Sequence, residues 1–301
     1  MDCTSGLQRA LGYIEANLDG EISYEAAACA AGMTAYHFQK MFSMLTGMTA
    51  GDYIRARRLT LAAVDIRRGM KVIDVGLKYG YESPDSFARA FARFHGMPPS
   101  EARASGARLN SCSPLHIKIS LEGGRMMDYK IVERPAGRIL GYHERFEGAP
   151  YGKMRALQEE KLFTSTRAKQ WLLRGMGDET LDDMVAVTNV TDDGYDFWYC
   201  TSLDNWTLEH FYDENITGID FMDRFGFEVL DVPAGTYAVF KTDRERYPVD
   251  AYESLRERIA GEWLPGSGYV LRNAPEFAVY HWYRKEQRDN RYIEIWLPVE
   301  K

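Results

Sequence analysis

Residues 32–48, Gly-Met-Thr-Ala-Tyr-His-Phe-Gln-Lys-Met-Phe-Ser-Met-Leu-Thr-Gly-Met, return as residues 80–97, Gly-Tyr-Glu-Ser-Pro-Asp-Ser-Phe-Ala-Arg-Ala-Phe-Ala-Arg-Phe-His-Gly-Met. Gly32, Phe38, Phe42, Gly47 and Met48 are echoed by Gly80, Phe87, Phe91, Gly96 and Met97, with a constant offset of 49 from Phe38 onward. One extra residue stands in the second copy between its glycine and its first Phe. Two Phe four apart share one face of a helix. Thr34 and Ser83 sit where an N-cap oxygen is wanted, and Gly47 and Gly96 where the helix must stop.

Ahead of each copy lies another short helical stretch, 24–31 before Gly32 and 72–79 before Gly80. Helix, glycine-containing turn, helix is the signature of a helix-turn-helix unit, and the chain carries two of them. Between them, 52–68 reads as one longer helix of about 25 Å, with Tyr53, Ile54, Leu61, Val64 and Ile66 as its buried stripe. Such a spacer suits two reading helices held near one turn of DNA apart, roughly 34 Å.

A second repeat organises the rest. Val132-Glu133-Arg134-Pro135-Ala136-Gly137 parallels Leu230-Asp231-Val232-Pro233-Ala234-Gly235, 98 residues on. Each copy leads through its Pro-Ala-Gly turn into a strand (138–143; 236–240). A helical stretch follows (151–173; 249–263), and then a hairpin (184–190 with 197–203; 276–283 with 292–299). The expected architecture is multi-domain. An all-α domain at 1–109 has two helix-turn-helix units joined by a long helix. A polar linker spans 110–126, with a short strand expected at 115–119. An α+β domain of two pseudo-symmetric strand–helix–hairpin halves occupies 127–301.

Composition sets outer limits. The chain has 301 residues, 45% apolar and 27% charged, as expected of a soluble protein with two domains. It shows neither a membrane-length apolar run nor a signal-peptide pattern. Cys3, Cys29, Cys112 and Cys200 are too scattered for a disulfide framework or a zinc site, so a reducing, cytoplasmic setting and no metal or cofactor are expected. The net charge of −7 argues against nucleic acid only at first sight. Residues 1–110 hold 13 Lys or Arg against 11 Asp or Glu. Arg55, Arg57, Arg58, Arg67, Arg68 and Lys71 cluster there with Asp65 as the nearby counter-charge, and local charge decides phosphate attraction.

These residues resemble the AraC/XylS family of bacterial transcription regulators over roughly residues 5–108. The resemblance covers the 34–42 helix, Thr46-Gly47-Met48-Thr49, Tyr53-Ile54-Arg55-Ala56-Arg57-Arg58-Leu59, Tyr79-Gly80-Tyr81-Glu82-Ser83, Phe87, Phe91 and Gly96-Met97-Pro98-Pro99. Residues 127–301 resemble the GyrI-like, or SOUL-like, effector-binding domain of multidrug-sensing regulators. That likeness rests on the Pro-Ala-Gly turns, Trp263-Leu264-Pro265-Gly266-Ser267-Gly268, the stretch 275–280 and Ile293-Glu294-Ile295-Trp296-Leu297-Pro298. Together they imply a DNA-binding regulator, located at the nucleoid, with a small aromatic or hydrophobic effector and RNA polymerase as a candidate partner.

With Phe38 and Phe42 turned inward, Tyr36, Gln39 and Lys40 face out, and the resemblance places those positions in the major groove. Gln can pair with adenine, and Lys with guanine or phosphate. In the second unit Pro84, Asp85, Ser86 and Arg89 face out, and the Arg89 fork suits guanine O6 and N7. Arg57, Arg58 and Lys71 are expected on phosphate, where they would add salt-sensitive affinity. Trp198, Tyr199, Trp263, Tyr280 and Trp282 are expected to wall the effector site, with Glu276 and Ala278 on the Tyr280 face of their strand. The resemblance implies a cation-attracting glutamate two residues before that tyrosine, but this chain has Ala278 there and Glu276 one step further along. Relatives that hydrolyse substrates depend on the same glutamate, so no enzyme is expected. The readings kept open beside a ligand sensor are a protein-interaction module and a fused GyrI-like hydrolase.

Overall fold

The structure, a computed structural model, describes residues 3–104, 106–117, 127–176, 182–203, 221–282 and 289–301. The chain divides into two compact units that part near residue 122. Among the described residues none forms a helix long and apolar enough to cross a membrane.

The first unit is helical: α1 (Cys3–Ala16), α2 (Tyr24–Ala31), α3 (Ala35–Thr46), α4 (Ala50–Arg67), α5 (Val72–Lys78) and α6 (Pro84–His95). The expected caps are in place. Thr34 Oγ1 accepts from His37 N at 3.2 Å, and Ser83 Oγ accepts from Ser86 N at 3.2 Å. Gly32, which ends α2, has φ +73°, a conformation that costs other residues strain. Around the second helix-turn-helix, the core gathers Leu59, Ala62 and Ile66 of α4, Val75 of α5, Tyr79, and Phe87 and Phe91 of α6. One stripe residue departs from expectation: Val64 is 40% exposed. It lies two residues beyond the buried Ala62, hence about 200° around the helix.

The start of the expected 110–126 linker is not a free tether. Cys112 N donates to Thr60 Oγ1 at 2.9 Å, Leu115 N to Tyr53 Oη at 3.0 Å, and Ile117 N to Gln8 Oε1 at 3.1 Å. These contacts lay 112–117 along α4 and α1, so the segment belongs to the first unit. Residues 115–117 form no strand, and the remainder of that expectation, 118–119, lies outside the described residues.

The second unit carries, among its described residues, strands β1 (Tyr129–Arg134), β2 (Gly137–Glu147), β3 (Asp183–Thr191), β4 (Gly194–Leu203), β5 (Glu228–Val232), β6 (Gly235–Lys241), β7 (Val270–Leu271), β8 (Glu276–His281) and β9 (Tyr292–Glu300). Its helices are α7 (Lys153–Ser165), α8 (Arg167–Met176), α9 (Phe221–Phe225), α10 (Val249–Arg258) and, after a π-turn at Ile259–Trp263, α11 (Leu264–Ser267). The sheet order is β1-β6-β9-β8-β3-β4-β2-β5, with β7 on β9.

That order is a palindrome of the two sequence repeats. β2, β4 and β3 of the first half meet β8, β9 and β6 of the second across the β3–β8 pair, where Val185 faces Ala278. The leading strands are exchanged: β1 pairs with β6 of the other half, and β5 with β2. Neither half therefore completes its own sheet. Strand alternation sorts the side chains into two layers. Ile139, Ala186, Trp198, Cys200, Tyr237, Val239 and Phe277 form one core. The register puts Tyr199, Val185, Glu276, Ala278 and Tyr280 on the opposite face.

Candidate DNA-reading surface and effector site

Helix α6 has one buried and one exposed face. Phe87 and Phe91 are fully buried and His95 nearly so, while Pro84, Asp85 and Arg89 are exposed and Ser86 is half-buried. Pro84 opens the helix, where a missing N–H costs nothing. Asp85 in the first turn complements the helix dipole. The Ser86 hydroxyl donates to the Ser83 carbonyl at 2.8 Å, which leaves it only acceptor capacity toward a base. Arg89 stands one turn further along with its fork outward.

On α3, Tyr36 and Gln39 are half-buried. Lys40 departs from expectation. It is 3% exposed, with its ammonium 3.4 Å from the Tyr36 hydroxyl and 5.8 Å from the centre of that ring. A covered lysine does not present its charge to DNA, so Tyr36 and Gln39 remain the accessible pair on this helix.

The expected phosphate contacts also divide. Lys71 is exposed at the start of α5. Arg57 is not a surface residue: its Nε and Nη2 grip both oxygens of Glu15 at 2.9 and 2.8 Å, and its Nη1 donates to the Cys112 carbonyl at 2.5 Å. Burial pushes the Glu15 carboxyl upward, but Arg57 and the Tyr53 hydroxyl, 2.6 Å away, outweigh it and hold its pKa below the ordinary value. Arg58 is likewise a tie. It donates to the Leu18 carbonyl at 2.9 Å and the Gly20 carbonyl at 2.5 Å. Its guanidinium lies over Gly80, where an added Cβ would come within 3.1 Å of Nη1 and where φ is +81°. Arg58 thus joins the α1–α2 loop to the turn of the second helix-turn-helix.

In the second unit the expected effector residues separate. Trp198 belongs to the other sheet layer, stacked on His143 at 4.4 Å. Being adjacent in one strand, it and Tyr199 cannot share a face. The Tyr199 hydroxyl donates to Asp183, which Arg174 clamps through two contacts at 2.5 Å. Trp263 packs edge-on against Phe240 and Tyr129, at 4.9 and 5.1 Å. Both partners lie on β6 and β1, two and three strands from β8 in the sheet order. Tyr280 and Trp282 do stay together, stacked at 5.7 Å and half-buried. Ala278 is buried beside them, and so is Glu276, at 1% exposure.

Glu276 is therefore no frayed strand end. Its carboxylate lies 2.5 Å from Arg256 Nη2 and accepts from the Tyr151 hydroxyl at 2.9 Å. A second such pair stands nearby: Arg155 Nε donates to Glu159 at 2.6 Å and its Nη1 to the Pro150 carbonyl at 3.0 Å. Burial opposes the charge on both arginines, but Glu276 for one and Glu159 for the other outweigh it, and both guanidiniums are held more firmly protonated than usual. Tyr252 lies between the two, its ring 4.7 Å from the Arg256 guanidinium and 5.9 Å from that of Arg155.

Sequence reasoning missed Arg155, Tyr252 and Arg256. The signal was present, since Arg155 and Glu159 are four apart, as are Tyr252 and Arg256, and such residues share a helix face.

A helix-turn-helix domain model matches residues 27–105, and a model described as integron-associated effector binding protein matches 197–299. The HTH-type transcriptional activator AarP of Providencia stuartii is 36% identical over 118 residues, 39% of this chain and 87% of that protein. The right origin-binding protein of Escherichia coli is 36% identical over 106 residues, 35% of this chain and 37% of that one. The solved structure of SAV2435 bound to tetraphenylphosphonium aligns with a TM-score of 0.44 and 15% identity, over 58% of this chain and 94% of that one. A regulator matched along nearly its whole length settles the assignment: the chain belongs to the AraC-type family of helix-turn-helix transcription regulators, and its residues 197–299 are similar to the integron-associated effector binding protein.

Proposed function

We propose that this regulator reads double-stranded DNA with the outer face of α6, led by Arg89 and flanked by Pro84, Asp85 and Ser86, and with Tyr36 and Gln39 of α3. Lys71 adds phosphate attraction. The effector, a small molecule with an aromatic or hydrophobic body, binds on the sheet face that carries Tyr280, Trp282 and Ala278. The protein acts in the cytoplasm, at the nucleoid, with RNA polymerase as its further partner. No catalysis is assigned, because a carboxylate held in an ion pair, as Glu276 is, makes a weak general base.

The observation that carries the reading is the two-sidedness of α6: Phe87 and Phe91 buried, Arg89 and Asp85 exposed. Selection of bound sequences from random duplex DNA tests it. A defined motif is expected for the parent, and relaxed preference at one base pair for Arg89→Ala. A motif unchanged by Arg89→Ala would refute the placement of α6.

A further inference from the structure

Among the described residues, the sheet face assigned to the effector has no acid without a basic partner but has spare donors. Glu159 and Glu276 are each ion-paired, to Arg155 and Arg256. The two arginines do not use all their N–H groups. Among the described residues, Arg155 Nη2, Arg256 Nε and Arg256 Nη1 are buried without a hydrogen-bond partner, as are the hydroxyls of Tyr195 and Tyr252, and the one carboxylate oxygen in the same condition, Glu276 Oε1, is in ion-pair contact with Arg256. These atoms belong to one cluster. The Tyr252 ring lies 4.7 Å from the Arg256 guanidinium and 5.9 Å from that of Arg155, and Arg155 sits 5.4 Å over Phe197, whose stacking partner Phe146 packs on Tyr195 at 5.7 Å. Buried donors with nothing to donate to are costly, and a native fold rarely keeps several together without a use for them.

Here they lie beside aromatic surface. Tyr252 is 6.1 Å from Tyr280, which stacks on Trp282. We infer that the effector is an aromatic or aliphatic acid, whose carboxylate, or a comparable anionic oxygen group, is received by Arg256, Arg155 and the hydroxyls of Tyr252 and Tyr195 while its apolar body lies on Tyr280 and Trp282. Planar guanidinium forks suit a two-oxygen acceptor, and the low polarity around them strengthens the contact. A cation in the same place would meet two fixed positive charges and, among the described residues, carboxylates already paired with them. The inference rests on the sensing role proposed above and names the chemistry of its ligand.

Calorimetric titration of the full chain with 2-naphthoate and with its isosteric cation, 2-naphthylmethylammonium, tests it. The naphthoate is expected to bind at least about tenfold more tightly, the scale of one charge-assisted hydrogen bond. Arg256→Gln is expected to weaken naphthoate about tenfold. Because that change also leaves Glu276 without its counter-ion and the variant can fail to fold, Tyr252→Phe is the deciding variant. It removes a hydroxyl that has no hydrogen-bond partner among the described residues, so its melting temperature should hold or rise while naphthoate affinity falls by about threefold or more. A Tyr252→Phe protein that melts normally and binds naphthoate like the parent overturns the inference. A parent that prefers the ammonium also overturns it, yet leaves the sensing role standing with a cationic ligand. A folded parent that binds neither probe overturns the inference and counts against sensing at this face as well.

Discussion

Replacing Arg57 with Met should destabilise the reading domain rather than loosen its grip on phosphate. The side chain is 8% exposed and that of Glu15 24% exposed, so the pair is mostly shielded from water. Met keeps much of the apolar stem but removes three hydrogen bonds at once, two to Glu15 and one to the Cys112 carbonyl. Breaking a buried pair from one side costs about 3–5 kcal/mol, because the remaining ion is left uncompensated. Glu15 is partly wet and keeps the Tyr53 hydroxyl, which lowers the expectation to about 2–4 kcal/mol. A loss of that size lowers the Tm of a domain of this size by about 10 °C or more. Thermal melting of the full chain, followed by helical circular dichroism, measures it. Binding to a fixed operator between 50 and 200 mM salt, at a temperature where the variant is folded, should give a slope unchanged from the parent. A stability loss under about 1 kcal/mol, together with a shallower salt slope, would refute the argument and return Arg57 to the DNA surface.

The same binding assay separates the other basic residues. Arg89→Ala should cost about 1–3 kcal/mol on the preferred site and little on random DNA, whereas equal losses on both would make Arg89 a phosphate contact. Lys71→Ala should weaken all sequences alike and reduce the magnitude of the salt slope by about 0.9, and an unchanged slope would show that it faces only water. Acid should weaken the first unit through His95. Burial lowers its pKa below 6.5, against the smaller opposing effect of the Leu59 carbonyl, 3.0 Å from Nε2. The unfolded chain therefore takes up the proton first as pH drops, so the stabilising contribution is full above about pH 6.5 and is lost as pH falls from there through the lower folded value. His95→Gln should flatten that part of the stability–pH curve, and a parent curve already flat between pH 7 and 5 would contradict the assignment.

What was legible in the sequence was local. The paired helix-turn-helix units, their Thr34 and Ser83 caps, and the strand–helix–hairpin order of the second domain follow from spacings of two, four and 49 residues, and the structure keeps them. What was illegible depended on partners far along the chain. Arg57 looks like part of a basic helix face because its acid, Glu15, lies 42 residues upstream. Arg58 answers to backbone carbonyls, which leave no trace in a pattern of side chains. Trp198 is a different failure. Strand parity alone forbids it from joining Tyr199 on one face, and a shared aromatic character does not override that parity. The exchange of β1 and β5 could not be read at all, since either strand is equally suited to pair within its own half.

That exchange bears on how such a domain could respond to a ligand. Arg155, Glu159 and Tyr195 come from the first repeat, and Tyr252, Arg256 and Glu276 from the second, so the donor cluster sits astride the seam between halves. The halves are bound to each other by the β3–β8 ladder and by two strands given reciprocally. A guest held by arginines of both halves would add a bridge across that seam, stabilising the arrangement in which the two forks converge and no other. Its binding energy would then become free energy favouring one relation of the halves over its alternatives, as differential affinity requires of any effector. A ligand that rested on Tyr280 and Trp282 alone would touch only the second repeat and would lack that leverage. The polar head, rather than the apolar body, is thus the part of the effector that can make the domain a switch.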